Sequence, residues 1–165
     1  MASSYSTDLK LELMVTGEKA GLWGDITNTN LVILSQSIAG YATLSIAGGA
    51  GNTDLTFTNG ATSNGKNAVL ELTGTITGNR TVTITSASGV TNKTYIIRNN
   101  TTGAFTVTVL VEGQTGVTFS ATDKGTKILY LDGTDVVDSN VGKLSNDASP
   151  QLSAVLDTNG NDFVV

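Results

Sequence analysis

The chain has no cysteine and no histidine in 165 residues. Those two absences exclude disulfides, thiolate and imidazole metal sites, and nucleophilic catalysis by Ser-His-Asp or Cys-His sets. Aromatic residues are scarce, at one Trp, four Tyr and four Phe. Glu12, Glu18, Glu71 and Glu112 stand isolated and away from any aromatic cluster, so the paired carboxylates and sugar platform of a glycosidase are not expected. Charged residues make up 14% of the chain, against roughly 25% in ordinary domains. Lys and Arg occur singly from Lys10 to Lys143 and the net charge is −5, which leaves no basic stripe for phosphates and no expectation of a nucleic-acid partner. No apolar run approaches the roughly 20 residues of a membrane span. The start, Met1 to Asp8, has neither a basic nor an apolar signal region, so synthesis and retention in a cytoplasm, or release by lysis, is expected.

What the chain does have is Thr, Ser, Asn and Gly, with an apolar fraction of 39% that argues for a folded core. Residues 1–22 read as an arm, in which Leu9, Leu11, Leu13 and Val15 alternate with Lys10, Glu12 and Met14 before Gly17 and Gly21 break the run. Residues 23–40 read as a turn and a helix. Asp25 or Thr27 is expected to cap its start, and Gly40 to supply a left-handed cap at its end. Leu31, Leu34 and Ile38 form one stripe at helical spacing, Ile26 and Ile33 a second, and Val32 a third. A surface helix should keep one wet face. This one does not in its middle, so neighbouring chains are expected to cover it.

From Tyr41 to Asp138 apolar and polar residues alternate with period two, as in Leu55–Thr58, Ala68–Thr73, Thr81–Thr85 and Phe105–Val111. Asn59-Gly60, Asn64-Gly65, Asn99-Asn100 and Asp132-Gly133 supply turn chemistry between the runs. About eight short strands are expected. The predicted fold is all-β: an antiparallel β-sandwich or jelly-roll-like domain over 41–138, preceded by the arm and one short helix. Residues 139–165 carry the single Pro150 and no periodic core, and are expected to form an extended linker towards a fibre stalk. Asp132, Asp135, Asp138, Asp147, Asp157 and Asp162 read as a solvated acidic tail.

Three motif look-alikes carry no cofactor. Gly60 to Lys66 has the spacing of a phosphate-binding loop, but Asn67 replaces the magnesium-binding hydroxyl and a strand follows where a helix is needed, so a hairpin loop is expected. Gly48 to Asp54 places its Asp one residue later than a calcium-binding nonapeptide does, and one copy cannot stack into a β-helix. Asp157 to Asp162 begins like an EF-hand with its Gly misplaced.

The stretch Thr16-Gly17-Glu18 … Gly21-Leu22-Trp23-Gly24 … Thr27-Asn28-Thr29-Asn30 holds the only Trp and runs into the apolar helix. Over residues 5–40 it resembles the N-terminal, virion-attachment region of tail fibre proteins of tailed bacteriophages, especially marine and cyanophage-like ones. Asp147-Ala148-Ser149-Pro150-Gln151-Leu152 and Leu156 to Asp162 are similar to a phrase found at phage-fibre domain junctions. The resemblance implies a structural, non-enzymatic virion protein, assembled in the host cytoplasm. It implies a homotrimer anchored to a tail adaptor, nozzle or baseplate protein. The host receptor would be met only by a distal region. Leu9, Leu11, Leu13, Trp23, Leu31, Ile33, Leu34 and Ile38 are the expected docking and trimer-interface residues. A capsid decoration (cement) protein and a small glycan-binding adhesin are the alternative readings.

Overall fold

A computed structural model describes residues 3–90, 92–122 and 124–141. The chain opens with a two-residue ladder between β1 (Ser4–Tyr5) and β2 (Glu12–Leu13), followed by α1 (Trp23–Ala39). Nine strands then build two sheets: β3 (Tyr41–Ser45), β4 (Gly51–Leu55), β5 (Val69–Thr73), β6 (Arg80–Ile84), β7 (Thr94–Asn99), β8 (Val107–Val111), β9 (Val117–Phe119), β10 (Thr126–Leu131) and β11 (Val136–Asp138). One sheet has the order β11-β10-β7-β5-β3 and the other β4-β6-β8-β9.

The all-β, two-sheet architecture with an arm and one helix agrees with the period-two alternation of the sequence. The strand directions do not follow the antiparallel, jelly-roll-like pattern. β3, β5 and β7 run parallel, as do β4, β6 and β8. Each coil of chain lays one strand in each sheet and returns one strand further along, so Tyr41, Val69 and Ile96 are register partners in one sheet and Gly51, Arg80 and Val107 in the other. Within these two sheets the last strands turn back: β9 on β8, β10 on β7 and β11 on β10 are antiparallel.

The facing sides of the two sheets close on one core, in which Leu70, Leu72, Tyr95, Ile97 and Leu129 meet Leu55, Val82, Ile84, Val107, Val109 and Phe119. Alternation fixes this, because successive side chains of a strand point to opposite faces. The coils stay hydrogen-bonded as they pass from sheet to sheet. Ile46 N–H donates to the Thr73 carbonyl (2.9 Å), Gly48 N–H to Thr75 (3.0 Å) and Ile76 N–H to Thr102 (2.9 Å).

Several local expectations change. The helix starts at Trp23, and Leu22 occupies the capping position with no side-chain bond. Asp25 sits inside the first turn rather than capping it, where its charge still suits the positive helix end. Gly40 has φ −69° and ψ 134°, an extended conformation that leads straight into β3, not a left-handed cap. Gly60–Lys66 is not a hairpin loop: it lies in the connection from β4 to β5, two strands in different sheets, with a 3-10 turn at Asn64–Lys66. The linker read over 139–165, with the Asp147–Asp162 phrases, lies outside the described residues beyond Val141.

Candidate functional site

The arm, the helix and the loop after β4 form a unit beside the sandwich. Asp8 accepts the Asn92 N–H (2.9 Å), and the Gly60 N–H donates to the Lys10 carbonyl (2.8 Å). Both bonds tie the arm to the domain. The helix grips its neighbours through two side-chain amides. Asn30 accepts from the Glu12 N–H (3.0 Å) and donates to the Glu12 carbonyl (2.9 Å), replacing a strand neighbour for the arm. Gln36 does the same to the loop, donating to the Ser63 carbonyl (3.0 Å) and accepting from its N–H (3.4 Å).

That loop is held from below by Lys66, which is wholly buried. Its ammonium donates to the carbonyls of Thr58 (2.6 Å) and Ala61 (2.5 Å). Burial, reinforced by the positive charge of Lys10, lowers its pKa to about 8. The Tyr95 hydroxyl, buried, donates to the Gly65 carbonyl (2.8 Å), and its burial pushes its own pKa up.

Between arm and helix lies an open cavity of about 240 Å³, floored by Leu22 and Ile26 and rimmed by Glu12, Lys19 and Asp25. Glu12 accepts from the Ser3 hydroxyl (2.7 Å) and pairs with Lys19 (3.2 Å). Those two contacts hold its carboxyl below the usual range. Its charge is therefore satisfied within the chain. Among the described residues no group of three His, Cys, Asp or Glu side chains comes together to hold a metal.

The helix face turned inward carries Asn30, Gln36 and Ile33, and Ile33 alone of the helix is fully buried. Ile33 lies outside the sandwich core. The sequence marks it as an interface residue, but its own chain already covers it and it has no surface to offer a partner. The face turned outward is greasy: Leu31 is 56%, Val32 54% and Ile38 79% exposed. Leu34 is half-buried, as are Leu9 and Leu11 in the arm, while Leu13 is exposed. Trp23 donates its indole N–H to the Glu18 carbonyl (2.9 Å) and leaves 48% of its surface open. Val15 and Leu22, outside the expected docking set, are equally open. The amide grips of Asn30 and Gln36 also escaped sequence reading. The two stand about 120° apart around the helix, so no same-face spacing marked them in the sequence.

No protein-family model, curated protein or solved structure matches this chain.

Proposed function

We propose that this chain is a structural, non-enzymatic assembly module: the N-terminal part of a tailed-phage fibre, which self-associates as a homotrimer and seats its arm–helix unit on a tail adaptor, nozzle or baseplate protein. A distal region would meet the host. One observation carries the reading. The helix turns its amide-bearing side to its own chain and its Leu31–Val32–Ile38 side to solvent. A helix serving only its own domain would bury the aliphatic stripe and wet the amides. The likeness of residues 5–40 to fibre attachment regions adds the phage context.

The magnitudes bound what this face can do. Burying a Leu, Val or Ile side chain is worth about 1.5–3 kcal/mol. Covering the open parts of Trp23, Leu31, Val32 and Ile38 therefore contributes on the order of 5 kcal/mol per copy. Association costs about 4–15 kcal/mol in lost freedom. The helix face is marginal alone and needs a second contact.

Light scattering on the purified chain at tens of micromolar tests the reading: a trimer is expected, and a stable folded monomer overturns it. Gold-labelled antibody on virions should mark tails. Label on heads would shift the assignment to a decoration protein.

A further inference from the structure

The five-stranded sheet has a second unpartnered apolar surface, on the side facing away from the core. Tyr41, Val69, Ile96 and Ile128 are successive register partners across β3, β5, β7 and β10. Tyr41 is 58%, Ile96 40% and Ile128 38% exposed, and Val69 is half-buried. Tyr130, 40% exposed, continues the patch beside its partner Val137 on β11. Outward positions in a sandwich strand are ordinarily polar. Elsewhere on the face Thr43, Ser45, Thr73, Thr94 and Thr126 obey that rule, and this row, with Tyr130 beside it, breaks it. The row runs across the strands, along the direction in which the coils stack.

We infer that this row is a seam between copies of this chain, with the coil axes of the copies side by side and the row of each lying against the next. The inference rests on the self-assembling reading above and names the second contact which that reading needs. Three observations select another copy as the occupant. Taking about 200 Å² for a fully exposed large apolar side chain, the open parts of Tyr41, Ile96, Ile128 and Tyr130 amount to roughly 350 Å². A standard interface of ~800 Å² per partner is a little over half apolar, so this row supplies most of the non-polar part of one. Patches of that size on a monomer are often functional.

The charge pattern points the same way. The chain carries −5, so two copies repel unless they meet on a neutral face. The outward positions of these strands carry one acid and one base, Glu71 and Arg98, and they face each other at 3.6 Å. Glu71 is further closed by the Tyr41 hydroxyl and by the Asn100 amide (2.9 Å). Bringing two such faces together strands no unpaired charge. A partner of opposite net charge would find nothing here to read. Finally, the row is linear and parallel to the coil stack, so every coil contributes one residue to it. That geometry suits a fibre-like module whose copies share an axis.

The absence of native cysteine makes the test direct. Ile96→Cys places a single thiol in the row, and Thr118→Cys places one on the outer face of the other sheet. With a short bis-maleimide, Ile96→Cys should give covalent dimers in high yield at micromolar protein, and Thr118→Cys few. In parallel, Ile96→Glu with Ile128→Glu should weaken self-association at least 100-fold in sedimentation equilibrium, with an unchanged circular dichroism spectrum, and Thr118→Glu should leave it intact. If the unaltered chain assembles but both thiols cross-link equally, or the double Glu variant assembles as tightly, the seam is wrong while the assembly reading stands. If the unaltered chain is monomeric at tens of micromolar, that reading fails and takes the seam with it.

Discussion

Gly103 and Gly133 offer a controlled test of the coil geometry, because their φ angles are nearly identical and their surroundings are not. Gly103 has φ +102° and Gly133 φ +101°, a region that L side chains rarely adopt. A Cβ on Gly133 would meet nothing within 4 Å. A Cβ on Gly103 would lie 2.1 Å from the Ile76 carbonyl oxygen of the preceding coil. Replacing either by Ala introduces backbone strain of about 1–3 kcal/mol, offset by about 0.4–1 kcal/mol from a stiffer unfolded chain. Gly133→Ala should therefore cost about 1 kcal/mol. Gly103→Ala must also push the Ile76 peptide aside, which endangers the Ile76-to-Thr102 bond (2.9 Å) and the Thr102-to-Gly74 bond (3.0 Å) at the corner. At about 0.5–1.5 kcal/mol each, with the contact itself added, the total is about 3–5 kcal/mol. For a chain of this size 1 kcal/mol moves the melting temperature by roughly 2–4 °C. Calorimetry should show a drop of about 3 °C for Gly133→Ala and of about 10 °C or more for Gly103→Ala. Melting temperatures within 2 °C of each other would refute the argument that stacked coils, rather than dihedral preference alone, require glycine at 103.

Three further outcomes follow from named contacts. Lys66 and Lys93 are both lowered by burial to about 8 from the ordinary 10.5, so the unfolded chain binds more protons than the folded one between those values. Stability should be flat just below pH 8 and rise from about pH 8 to 10, then fall as Tyr95, held protonated by burial, must ionise on unfolding. Urea melts from pH 7 to 11 read this, and Lys66→Met should flatten the rise. Equal slopes in both proteins would remove Lys66 as a source. Asn30→Ala deletes both bonds to the Glu12 backbone and should cost about 1–2 kcal/mol locally. Hydrogen exchange at residues 11–13 should accelerate several-fold while strands β5 to β8 stay protected, and unchanged exchange in the arm would contradict the grip. Trp23 is the only Trp and is half open. Its emission should shift to the red on dilution as assemblies dissociate. Constant emission across a dissociation seen by light scattering would place Trp23 outside the contact.

Much of the sandwich was legible because alternation reports facing directly. Leu70 and Leu72 were separated from Val69, Glu71 and Thr73 by period two alone, and they fall on opposite faces of β5. Strand direction was not legible, because parallel and antiparallel strands share that period. The usual sign of a parallel sheet, unbroken apolar runs between helices, is missing, since each sheet here has one wet face. The coils also lack a sequence repeat. Positions that stack at one corner are Gly48, Ile76 and Gly103, which share no side chain. At the helix, composition located the element and its surplus of apolar residues. It did not tell which stripe turns inward, because that depends on the distant partners Glu12 and Ser63.

The orientation of the helix has a traceable cause, and it explains two residues that otherwise look misplaced. A helix free to rotate about its axis would turn Leu31 and Ile38 inward and wet Asn30 and Gln36. It cannot, because each amide makes a two-way bond to a backbone, Asn30 to Glu12 and Gln36 to Ser63, and unmade buried bonds cost more than made ones return. Gln36 can hold only if Ser63 stays in place. The loop carrying Ser63 is fixed by Lys66, whose ammonium bridges Thr58 and Ala61 from inside. The buried lysine of a phosphate-loop look-alike and the polar inner face of an apolar helix are thus parts of one device. Its effect is to keep Leu31, Val32 and Ile38 on the outside. Loosening Lys66 should therefore weaken assembly as well as the loop, even though Lys66 has no exposed atom with which to touch another chain.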